Sequence, residues 1–100
     1  MKLKPGVKVG GISPEIMVAL MVAHDACVNE GVELVITSVT DGVHGEHSLH
    51  YHGKAIDLRT RDIAPPVRGK LRATIADNLG AEFDVVLETD HLHIEFDPPR

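Results

Sequence analysis

Apolar residues fall at Ile16, Leu20, Ala23 and Cys27, and again at Val67, Leu71, Ile75 and Leu79. A spacing of three and four is the period of a helix with one apolar stripe. Elsewhere the pattern changes. Val32–Val39 is rich in β-branched residues, Ala55–Leu58 is a short extended segment, and Phe83–Leu87 and Leu92–Phe96 read as two further strands. The punctuation agrees. Ser13-Pro14-Glu15 supplies an N-cap hydroxyl, a proline at the first helical position and a first-turn carboxylate, and Gly31 ends that helix. Asp41-Gly42 and Gly45 mark a loop. Pro65-Pro66 introduces the second helix, about Val67 to Leu79, and Gly80 closes it. Thr89-Asp90 is a tight turn between the last two strands. The order helix, strand, strand, helix, hairpin predicts an α+β domain: a small, mainly antiparallel sheet with two helices packed on one face.

A chain of 100 residues is expected to form one domain, 1–100, with no internal repeat and no linker. Its core is modest at that length, so a bound metal would add to its stability. The net charge of -5 and the 3% aromatic content, without tryptophan, argue against a nucleic-acid partner. The apolar run Ile16–Ala23 is too short to span a bilayer, so no membrane insertion is expected. Met1–Gly11 carries three lysines but no apolar segment with a cleavage site, and no signal peptide is read there; synthesis in the cytoplasm is the expectation. The single cysteine, Cys27, sits on the first apolar stripe and reads as a core residue. Gly10-Gly11 lacks the ending of a phosphate loop. Arg68, Lys70 and Arg72 read as a solvated helix face.

The unusual feature is seven histidines, six of them between His44 and His93. A catalytic zinc takes three protein ligands, commonly imidazole and carboxylate, and leaves a fourth position open. His50 and Asp57 lie seven residues apart across Gly53, where a sharp bend can point both inward. His91 and His93 are two apart, so on a strand they face the same side, and one can bind metal while the other stays close by. His44, His47 and His52 read as loop or rim residues, with His47 or His52 as substitutes for a ligand, and His24 as a structural residue on the first helix.

Ser48, His50, Gly53, Ala55 and Asp57 fill every fixed position of S-x-H-x-x-G-x-A-x-D. Asp90, His93, Ile94 and Glu95 follow in the second segment. Together these resemble the zinc D-Ala-D-Ala peptidases, within the broader group that includes lysostaphin-like enzymes and the hedgehog signalling domain. The resemblance implies a hedgehog/D-Ala-D-Ala peptidase-like fold. It implies one zinc per chain on His50, Asp57 and His93, with Ser48 buttressing the site. Asp90 would stand where the family has a catalytic glutamate, with Glu88 as the alternative base, and His91 would stabilise the oxyanion. The implied substrate is the peptide stem of peptidoglycan, cut by a carboxypeptidase or endopeptidase of a cell wall or phage lysis system. A non-catalytic zinc module of the same fold, used for binding, is the alternative. Two departures stand out: Asp90 is one methylene shorter than glutamate, and residues 37–44 contain no arginine for a substrate carboxylate. Lys54, Arg59 and Arg61 are the candidate replacements.

Overall fold

The computed structural model describes residues 1–39 and 54–98. These form two helices and a five-stranded sheet: β1 (Lys2–Leu3), α1 (Pro14–Asn29), β2 (Val35–Ser38), β3 (Ala55–Arg59), α2 (Pro65–Leu79), β4 (Phe83–Leu87) and β5 (His91–Phe96). The strand order is β1-β2-β3-β5-β4. Every neighbouring pair is antiparallel except β1 with β2, which is parallel. The expected α+β architecture is the one observed.

Helix α1 begins as its sequence dictates. The Ser13 hydroxyl accepts from the Ile16 amide at 3.3 Å, satisfying one of the free donors of the first turn. Its end is tied down by the Glu30 amide, which donates to the Ala26 and Cys27 carbonyls, and by Gly31 at φ 69°. The stripe that reaches the core is Ile16, Ala19, Ala23, Ala26 and Cys27, with Leu20 at its border. Three alanines let the helix lie close to its neighbours. Met17 and Val28, beside the stripe, are exposed.

Helix α2 takes in both prolines, which occupy its first positions, where a missing amide costs nothing. Leu71 and Ile75 are its buried residues, with Val67 and Leu79 packed against the core. Gly80, at φ 86°, ends it. The Arg68 guanidinium donates back to the Ile63 carbonyl at 2.7 Å and the Arg61 carbonyl at 3.3 Å, fixing the loop between β3 and α2.

Strand parity splits the sheet into two faces. Ile36, Ile56, Leu58, Leu92 and Ile94 point into the core shared with both helices. Asp57, Arg59, His91, His93 and Glu95 point the other way and are only partly covered. The Phe83 and Phe96 rings, 5.2 Å apart, close the open end of the β4–β5 hairpin. Strand β1 has no counterpart in the sequence-based expectation: two residues carry no readable period, and pairing with β2 alone defines it. Among the described residues no helix is long and apolar enough to cross a membrane.

Candidate metal centre

Asp57 and His93 sit directly opposite one another on the β3–β5 ladder. On the polar face, Nδ1 of His93 lies 2.8 Å from Oδ1 of Asp57. Its other ring nitrogen, Nε2, lies 3.1 Å from Oε1 of Glu95, two residues further along the same face. His91 repeats the arrangement. Its Nδ1 lies 2.8 Å from Oδ1 of Asp90, and its Nε2 lies 3.9 Å from the same Asp57 oxygen. Asp57 is therefore approached by two imidazoles, each backed at its far nitrogen by a second carboxylate. That backing is how proteins fix the tautomer and ring plane of a metal-ligating histidine.

The local electrostatics follow from these contacts. The hydrogen bond to Asp57 raises the His93 pKa above its ordinary value of 6.5, with Glu95 adding to the effect and burial opposing it. The hydrogen bond from His91 is the main reason that Asp90 is held below the usual carboxylate range, with Arg61 contributing a smaller push in the same direction. The Thr37 hydroxyl donates to the Asp57 carbonyl at 3.4 Å, tying β2 to the strand that carries the carboxylate.

The turn decides where the acidic candidates go. Strand alternation alone turns both Glu88 and Asp90 away from the histidines. The Glu88 amide donates to the His91 carbonyl at 2.8 Å, and the Thr60 amide donates to the Asp90 carbonyl at 3.1 Å. Asp90 lies in the bend that precedes β5, and its carboxylate engages His91. Glu88 is exposed and does not line the adjoining cavity.

A zinc ion holds its ligands at about 2.0–2.2 Å, which places tetrahedral ligand atoms about 3.3 Å from one another. Nδ1 of His93 and Oδ1 of Asp57 are at hydrogen-bond distance, 2.8 Å, so the pair would open by about half an ångström to hold an ion between them. A carboxylate oxygen and imidazole nitrogens are the donor types zinc takes. Asp57 and His93 therefore fit the metal that the motif implies. Ser48 and His50, like His44, His47 and His52, lie outside the described residues.

Beside the pair opens a cavity of about 330 Å³. Its lining joins Asp57, Asp90 and His91 to three cations, Lys4, Arg59 and Arg61. Lys54, the other basic candidate, is exposed and is not part of that lining. Glu95 also groups with Asp84 and Asp97, their carboxylate oxygens within 4.8 Å of one another.

A family model of the Hedgehog amino-terminal signalling domain matches residues 17–96. The chain belongs to the Hedgehog signalling-domain family. No curated protein matches it. The Hedgehog domain shares its fold with zinc peptidases, and two helices over a mainly antiparallel sheet are consistent with that fold. The family match begins inside α1, so β1 and Lys4 lie outside it. Sequence reasoning assigned no role to two residues near the centre: Glu95, named only as part of the closing motif, and Lys4. Glu95 was readable as a partner of His93, since both stand on one face of a strand. Lys4 left no local signal, because its position depends on a parallel pairing with β2.

Proposed function

We propose that this Hedgehog-family chain is a zinc-dependent peptidase that cuts the peptide stems of peptidoglycan. The observation that carries the reading is the convergence of His93 and His91 on Asp57 beside an open cavity. One zinc per chain would be held by His50, Asp57 and His93, with Ser48 supporting them. The ion would supply Lewis acidity to the scissile carbonyl and lower the pKa of water. Asp90 and His91 act as a unit in this reading. Asp90 engages Nδ1 of His91 and so holds the ring with Nε2 toward the reacting centre. Asp90, with Glu88 as the alternative, takes the proton of the attacking water and returns it to the leaving amine. Nε2 of His91 donates to the developing oxyanion. The resemblance to the D-Ala-D-Ala peptidases is what names peptidoglycan and a cell wall or phage lysis setting. No nucleic acid and no membrane insertion enter the proposal.

A second reading has its own support. The matching family is a signalling domain, and Asp90 already has one oxygen engaged by His91. The chain would then be a non-catalytic zinc module used for binding. Elemental analysis of the purified protein and of His50→Ala is the first test. One equivalent of zinc, lost in the variant, is expected. Incubation with purified peptidoglycan then separates the two readings. The peptidase exposes new amino termini on stem residues, and Asp90→Asn or His91→Ala lowers that rate by roughly 10²- to 10⁴-fold. Zinc bound with no new amino termini selects the binding module.

A further inference from the structure

We propose that Met1, Met21 and His24 form a binding site for a soft monovalent metal ion, copper(I), on the outer side of α1. The site is separate from the centre on β3 and β5 and does not depend on the peptidase reading.

The placement of sulfur in the fold is unusual. The chain has three methionines and one cysteine. Methionine commonly fills irregular gaps in a core. Here none does: Met1, Met17 and Met21 are 60, 55 and 68% exposed. The cysteine is the reverse case, since Cys27 lies buried on the core stripe of α1. The one thiol that could compete for a soft ion is thus withheld, while three thioethers face outward.

Two of those thioethers share a cavity with an imidazole. A space of about 320 Å³ is lined by Met1, Leu20, Met21, His24 and Asp25. Met21 and His24 are three apart on α1, so their side chains are neighbours on one helix face and can close on one ion. Met1 arrives from outside the helix. It precedes β1, where the Lys2 amide donates to the Leu34 carbonyl at 2.7 Å and the strand pairs with β2. That pairing brings the third donor to α1 from the edge of the sheet. Oδ1 of Asp25 lies 3.4 Å from Nδ1 of His24, a contact that leaves Nε2 as the ring nitrogen open to a ligand.

Donor chemistry selects the ion. Thioethers are soft ligands that favour copper(I), whereas hard cations take carboxylates, carbonyls and water. Zinc is held by thiolate, imidazole and carboxylate, and two thioethers serve it poorly. The neutral donor set adds no charge of its own, and Asp25 supplies one negative charge beside the cation. The helix packs on the core face of the sheet, while Asp57 and His93 stand on the opposite face. The two cavities share no lining residue.

The test uses the full chain with carbon-13 in the ε-methyl groups of methionine, which gives one signal for each of the three residues. The probes are copper(I) kept reduced without oxygen, silver(I) as its redox-inert analogue, and zinc(II). One equivalent of copper(I) or silver(I) should shift the Met1 and Met21 signals to saturation. Met17 does not line the cavity and serves as the internal reference. Zinc(II) should leave all three signals in place. Met21→Leu conserves volume at an exposed position, and an unchanged amide spectrum confirms that it is folded. A group that only supports a ligand is worth roughly 10- to 100-fold in metal affinity, so Met21→Leu and His24→Gln should each weaken copper(I) binding by at least about tenfold in chelator competition. Met17→Leu should bind as the parent does. The site is overturned by the absence of a saturating shift, by equal shifts of all three methyl groups, or by an affinity unchanged in Met21→Leu and His24→Gln. Copper(I) seated instead at Asp57 and His93 would move the amides of that pair and leave these methyl groups in place, which overturns the site as well.

Discussion

Glu95 accepts from Nε2 of His93 at 3.1 Å, while the opposite ring nitrogen faces Asp57. A carboxylate behind a ligating imidazole fixes the ring and raises its basicity toward the metal. Glu95→Gln keeps the shape and removes the charge. Zinc affinity should fall by roughly 10- to 100-fold, read by competition with a chelator. An unchanged affinity would mean that His93 is oriented by the strand alone. Thr60 poses a different residue-level question. It is 2% exposed, and its hydroxyl has no hydrogen-bond partner among the described residues. A buried hydroxyl without a partner is destabilising. Thr60→Val, nearly isosteric, should raise stability by about 1 kcal/mol in chemical denaturation. A loss of similar size would show that an ordered water satisfies the hydroxyl. Of the site itself, the sequence made Asp57, His91 and His93 legible because strand parity and motif spacing are local. Asp90 was legible only through its turn. The placement of Lys4 beside them was not, since no short-range pattern encodes a parallel strand of two residues.

Strand β5 carries the centre on one face and the core on the other, so its two sets of residues make separable contributions. Ile94 is fully buried between the sheet and the helices. Ile94→Ala removes buried methyl groups and leaves a cavity, a loss of about 2–5 kcal/mol in the unfolding free energy. The measurement is a denaturation midpoint with the slope held constant. A cost under about 1 kcal/mol would show that the helices collapse onto the gap. Elements of this kind were readable where a periodic stripe and its caps agreed. The Ser13 cap, the Gly31 and Gly80 stops and the hairpin strands fell close to their expected limits. Boundaries moved where local chemistry was permissive. Helix α2 starts at Pro65 rather than after the prolines, because neither position needs its amide. The buried stripe of α1 also shifted toward Ala19 and Ala26, and Leu20 went to its edge. Apolar spacing specifies a helix face to within one neighbouring row, and packing against the partner element selects the row.

At the scale of the whole molecule, the metal and the proton compete for the same imidazole. The folded protein raises the His93 pKa above 6.5, chiefly through the bond to Asp57. In the metal-free chain this group therefore adds stability below its unfolded-state value, and the contribution is lost as pH rises through the folded-state value. Zinc reverses the dependence. It binds the neutral ring, so its stabilisation grows as the proton leaves. At a free zinc concentration 100 times the dissociation constant, that stabilisation is about 2.7 kcal/mol. Two denaturation curves at each pH, one with zinc and one with a chelator, should thus separate progressively as pH rises above 6.5 and through the higher folded-state value. The chelated curve should weaken across this window, apart from other titrating groups, and the zinc curve should strengthen against it. His93→Gln and Asp57→Asn should bring the paired curves together at every pH. A wild-type gap that stays constant with pH, or one that survives both substitutions, would place any bound zinc away from the β3–β5 pair. The fold would then use these side chains for hydrogen bonding alone.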